Sequence, residues 1–221
     1  MTLARPHKRV FMATAVMALA LATTACDLGG TRGQGEVTSE TRPTDTFSHV
    51  EAGAGINVSI GIGTASSLEV RAQGNILPII VTEVSDDTLR INSSSSYSTS
   101  EKVEVILATP QLDGLVLSGG SRGSVDGLAS EAFAIDLTGG SVLTASGTAN
   151  TVTLDVNGGS VAEMEALEAE TINVDVSGGS RAEVRATDLV SGSATGGSKV
   201  SVFGDADVRV DTTGGSQVDQ R

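Results

Sequence analysis

From residue 114 to the end of the chain, apolar and polar residues alternate in short runs, and each run stops at a glycine pair. Phe133, Ile135 and Leu137 alternate with Ala134 and Asp136; Val152, Leu154 and Val156 with Thr153 and Asp155; Ile172, Val174 and Val176 with Asn173 and Asp175. A period of two places each apolar set on one face of a β-strand. The glycine pairs are followed by serine, as Gly119-Gly120-Ser121, Gly139-Gly140-Ser141, Gly158-Gly159-Ser160, Gly178-Gly179-Ser180, Gly196-Gly197-Ser198 and Gly214-Gly215-Ser216. Successive triplets lie 20, 19, 20, 18 and 18 residues apart. After each triplet alternation resumes, with Leu143 and Ala145, Ala162 and Met164, Ala182 and Val184, then Val200 and Val202.

Two strand patterns per period of 18–20 residues predict a coil that adds one turn per repeat, an all-β, right-handed parallel β-helix. The glycines supply the corners, because they reach backbone angles that side chains forbid. Ser141, Ser160, Ser180 and Ser198 share the parity of the inward residues. They are expected to stack in a buried column, bonded hydroxyl to hydroxyl across rungs about 4.8 Å apart. A flexible Gly-Ser linker would not carry Val, Ile and Leu at period two on both sides of every pair. A calcium-binding nonapeptide roll needs Gly-Gly-x-Gly-x-Asp, which does not occur. Ala162–Glu170 reads as helix in isolation, but its place in the repeat assigns it to a strand and corner.

The start of the chain is of another kind. Arg5, Lys8 and Arg9 precede an apolar run from Val10 to Ala22, then Thr23-Thr24-Ala25-Cys26. Residues 1–25 read as a signal peptide, too short to span a membrane. Small residues directly before the single cysteine resemble a bacterial lipobox, with Thr23 where that pattern prefers leucine. The resemblance implies a lipoprotein acylated at Cys26 and anchored in the cell envelope, the alternative being a secreted or periplasmic protein. Residues 26–43 are rich in Gly, Thr, Ser and Glu and predict a flexible tether, followed by one solenoid domain over residues 44–221.

The net charge of −13 becomes −16 when Arg5, Lys8 and Arg9 leave with the signal. Such a surface disfavours nucleic acid and anionic lipid headgroups. With no Trp, one Tyr and four Phe, the core must be built from small aliphatic residues.

Residues 44–110 carry a second signature. Phe47-Ser-His-Val50-Glu-Ala-Gly-Ala-Gly55-Ile56-Asn57-Val58 holds a Gly-Ile-Asn tripeptide, and Pro110-Gln111-Leu112 leads into the repeats at residues 111–221. This order of segments resembles the putative auto-transporter adhesin, head GIN domain family. The resemblance implies a right-handed β-helical fold behind a signal peptide or lipobox, and no established activity. Up to Arg221 the sequence carries no pattern for a translocator barrel, so that half of the family description is not expected to apply.

Candidate chemistry is sparse. Asp136, Asp155, Asp175 and Asp211 each stand three residues before a glycine pair, with Val116 and Ser193 at the equivalent places. Asp136, Asp155 and Asp175 are expected to stack on the outer surface, as a weak divalent-cation ladder or as a solvated acidic stripe. His49 is the only histidine beyond the signal segment, so a metal trio or a pair of histidines cannot be assembled there. It reads as an exposed strand residue, and Asp86-Asp87 as a hairpin turn. No cofactor is expected. The reading that follows is a non-enzymatic, envelope-anchored surface for a protein or glycan; the alternative is a polysaccharide-active β-helix enzyme with clustered carboxylates.

Overall fold

In the second half of the chain the alternating apolar residues form the inner faces of two stacked parallel sheets. The structure is a computed structural model describing residues 30–221; the signal segment and Cys26 lie outside the described residues. It is 65% strand and 2% helix, coiled into a β-solenoid of about five turns. The first nine strands are Thr31–Arg32 (β1), Val37–Arg42 (β2), His49–Ala52 (β3), Asn57–Ile62 (β4), Ser67–Gln73 (β5), Ile80–Ser85 (β6), Thr88–Ser93 (β7), Tyr97–Ser98 (β8) and Glu104–Thr109 (β9). Eight follow: Gly114–Leu117 (β10), Arg122–Leu137 (β11), Val142–Val156 (β12), Val161–Val176 (β13), Arg181–Ala194 (β14), Lys199–Phe203 (β15), Asp207–Thr212 (β16) and Gln217–Gln220 (β17).

The long strands β11 to β14 bend at irregularities in their pairing, so each contributes to both sheets. One sheet stacks β3, β10, the C-terminal halves of β11, β12, β13 and β14, and β16. The other stacks β9, β4, the N-terminal halves of the same long strands, β15 and β17. Between them lies a core of Val, Ile, Leu and Ala, with Phe133 the largest fully buried side chain. Ala162–Glu170 is part of β13, as its place in the repeat requires.

The corners explain the triplets. Every glycine of the six pairs has φ between 61° and 80°, a region that costs other residues roughly 1–2 kcal/mol. The first glycine of each pair also lies against the corner below: a Cβ on Gly158 would sit 3.3 Å from the Gly139 amide nitrogen. The following serines point inward, Ser141 and Ser160 with no exposed surface. Their hydroxyls are not linked to one another, contrary to the expected chain of hydroxyls. Ser141, Ser160, Ser180 and Ser198 donate to the carbonyl three residues earlier, Ser160 to Asn157 at 2.7 Å and Ser180 to Ser177 at 2.7 Å, whereas the buried Ser121 hydroxyl has no partner among the described residues. Ser160, Ser180 and Ser216 accept from amides of the turn below, as Ser160 Oγ does from the Ser141 amide at 3.2 Å. A carbonyl already held close by the glycine corner is a nearer acceptor than a hydroxyl one rung away, so the column is closed through backbone.

Before Gly114 the chain also runs antiparallel: β6 with β7, β5 with β9, and β2 with β5. The last pairing corrects the tether reading within residues 31–42, because β1 and β2 are strands. β2 covers the outer edge of β5 from Val37 opposite Gln73 to Arg42 opposite Leu68. Its polar composition reflects an exposed strand face, whereas its backbone is paired. Arg42 then reaches across the end of the coil. Its guanidinium donates to the carbonyls of Ile80 at 2.7 Å and Leu77 at 3.1 Å, and to Thr82 Oγ1 at 3.2 Å.

Candidate binding face

Strict rung-on-rung register turns alternate residues of the first sheet into straight columns on its outer surface. One column reads Arg90, Glu51, Val116, Asp136, Asp155, Asp175, Ser193 and Asp211, each the pairing partner of the next. At its start Arg90 Nε donates to Glu51 Oε2 at 3.2 Å. Val116 follows, 38% exposed. The three aspartates then stand side by side. Asp155, flanked on both sides, has its carboxyl held above the usual carboxylate range, first by partial burial and then by the charges of Asp175 and Asp136. Ser193 relieves the far end by donating to Asp175 Oδ1 at 2.6 Å.

These carboxylates stand one per rung on a flat surface and do not converge. Among the described residues no group of three or more His, Cys, Asp or Glu side chains is placed to hold a metal ion. The column is an acidic stripe in which Asp155 is half-buried.

The neighbouring column runs Thr88, His49, Gly114, Ala134, Thr153, Asn173, Ser191 and Arg209. His49 lies over Gly114: a Cβ there would fall 2.4 Å from His49 Cδ2, so only glycine fits beneath the ring. The ring is set by a contact the sequence does not reveal. Asp86 and Asp87 form the left-handed turn between β6 and β7, with φ of 49° and 62°. Asp87 Oδ2 accepts from the Ser48 hydroxyl at 2.5 Å, and Ser48 Oγ lies 3.0 Å from His49 Nδ1. A hydroxyl that donates to Asp87 accepts from the ring, which puts a proton on Nδ1. The order Asp–Ser–His holds the serine between its two partners. It fixes the imidazole.

His49 also joins two depressions. One, of about 300 Å³, lies over the small residues Gly114 and Ala134, between Arg90 and Asp155. The other, of about 720 Å³, opens at the corner where Pro110 and Gln111 face Ala129–Phe133. Neither was read from the sequence. The first follows from the short side chains of one column. The second follows from the four-residue passage Pro110–Asp113 between β9 and β10, where later turns take a longer path.

The fold has solved counterparts. A structure described as a putative adhesin from Bacteroides fragilis is 18% identical, with a TM-score of 0.72 over 87% of this chain and 100% of that one. A putative adhesin from Parabacteroides distasonis is 19% identical, with a TM-score of 0.60 over 86% of this chain and 99% of that one. A third structure, described as a putative lipid binding protein from the same species, is 13% identical, with a TM-score of 0.53 over 86% and 98%. At such identities the likeness is one of fold. A search among curated proteins finds no match. The sequence model described as "Putative auto-transporter adhesin, head GIN domain" matches residues 46–206, and it is to this head GIN domain family that the chain belongs.

Proposed function

We propose that the protein is a non-enzymatic, adhesin-like module of the cell envelope, held by lipid on Cys26, that presents the outer face of its first sheet to an envelope or extracellular protein or glycan. The observation that carries this reading is the flat face itself. Its side chains stand in straight columns over successive rungs, with carboxylates spread out where a hydrolytic pair would converge. A broad surface of short polar side chains suits weak contact repeated over area, and a deep cleft suits turnover. Family and fold neighbours are described as adhesins or as a binding protein, which agrees with this reading.

The anchor and the face are tested separately. Cys26→Ala is expected to move the protein from the membrane fraction to the soluble one and to abolish labelling by a fatty-acid analogue; retention without label overturns the anchor. Beads coated with the protein are expected to retain envelope fragments, and Thr153→Arg with Asp155→Arg to reduce that retention several-fold. Equal retention by both overturns the face.

A further inference from the structure

The solenoid has a step in its third side. In β12 the chain passes from the second sheet to the first through Gly147–Ala149, which pairs with Leu167–Ala169 of β13 on one flank and with Leu128–Ser130 of β11 on the other. Among the described residues Leu128–Ser130 has a partner only above it. The turn below has no third side, because Pro110–Asp113 cuts directly from β9 to β10. Among the described residues the pairing resumes beneath β11 only at Ala134, whose amide donates to the Asp113 carbonyl at 2.8 Å. The recess of about 720 Å³ lies under this ledge.

Three features of the recess point to one kind of occupant. The ledge is a strand edge, a row of backbone donors and acceptors for main-chain pairing. Ser130 occupies the inward position that Ala149 and Ala169 fill in the next turns; those are buried, whereas Ser130 is half-buried with its hydroxyl on the Ala132 carbonyl at 2.9 Å. The column thus ends on a polar residue where a rung is missing. The recess is also acidic: Asp113 accepts from Gln111 Nε2 at 2.6 Å and from the Ser130 hydroxyl at 3.4 Å, Glu131 stands exposed at the corner, and neither joins an ion pair among the described residues.

We propose that this ledge accepts a short extended peptide segment of a partner protein, added as the missing third side and carrying a lysine or arginine opposite Asp113 and Glu131. The inference rests on the protein being a binding module and names its partner class. Strand addition draws affinity from main-chain hydrogen bonds and selectivity from side chains. The ledge of three residues spans only about 10 Å at roughly 3.3 Å per residue, so a single contact is weak and many copies on one surface make it effective.

The probes are fluorescein-labelled Thr-Val-Lys-Val-Thr, the same sequence with glutamate at its centre, and the lysine peptide with N-methylated backbone amides. Fluorescence polarisation with the purified protein is expected to show the lysine peptide binding at least tenfold more tightly than either of the others. Asp113→Asn with Glu131→Gln is expected to erase the preference for lysine over glutamate. Glu163→Gln with Glu183→Gln, paired on the outer face of the second sheet away from the ledge, is expected to leave it intact. The N-methylated probe works on the unaltered protein, so the result does not depend on a variant that folds. Binding that survives N-methylation, or that falls equally with the Glu163 and Glu183 changes, is attraction to an acidic surface and overturns the proposal. No binding at millimolar peptide also overturns it, while retention of envelope fragments by coated beads decides independently whether the protein is a binding module.

Discussion

From Gly114 onward every strand is parallel to its neighbours, and the same glycine pair closes each turn. Between Val37 and Thr109 three pairings are antiparallel, and the stacked corner is made by Ala54-Gly55, with φ of 59° and 71°, in place of a glycine pair. Both regions feed the same two sheets and share one core. They differ in what specifies them. In the repeats a turn needs only the right parity and the right corner, both within about 20 residues. In the N-terminal region the chain reverses, and each reversal is held by partners far away in sequence. Arg42 on the Leu77 and Ile80 carbonyls and Ser48 on Asp87 are of this kind. The antiparallel part also solves a problem the repeats cannot, because β2 is laid across the edge of β5 and a long-range clamp holds it there.

The sharpest way to break the repeat side of this comparison is at a corner serine. Ser160→Val removes the donor to the Asn157 carbonyl and the acceptor for the Ser141 amide, both buried. The expected loss, read from urea melts, is about 1–3 kcal/mol. The same change at Ser216, half-buried in the last turn, is expected to cost clearly less. Equal small effects at both would mean that the glycines alone hold the corners.

Arg42→Ala addresses the N-terminal side. It strips three hydrogen bonds from the end of the coil and is expected to cost about 1 kcal/mol. Hydrogen exchange is expected to show lost protection in β2 and β6, with β12 and β13 unchanged. Protection lost throughout would show that the two regions open as one unit.

The smallest effect is expected at the acidic column. The folded state holds the Asp155 carboxyl above its ordinary range, so the penalty for ionising it is present at neutral pH. It disappears as pH falls through the raised folded value toward the usual aspartate range near 4. Asp155→Asn is expected to stabilise by about 0.5 kcal/mol or less at neutral pH, and by nothing in acid. A melting difference that grows on acidification would reverse the sign of this argument.

The same contrast sets what the sequence can tell. The glycine corners, the inward serines and the outward aspartates are legible because a period compares each residue with its own copies. Within the expected tether, residues 37–42 form a strand, because composition reports exposure and cannot report an edge partner such as β5. The bonding of the serine column was misread because acceptor choice depends on the geometry of the corner, which parity does not contain. His49 could be placed on an exposed strand, but its tie through Ser48 to Asp87, 39 residues along from the serine, could not. The recess was within reach: counting residues from Thr109 to Gly114 against the later turns shows that one side is missing.

Stacked identical corners have a consequence for how such a molecule can change. Each Gly-Gly-Ser junction meets its neighbour through the same few backbone atoms, so a whole turn can be duplicated or excised between two junctions without disturbing any other. The face then lengthens or shortens in steps of about 4.8 Å, while the N-terminal region with its clamp and step stays as it is. The chain is built as a ruler with one fixed end, and its reach can be altered by copying.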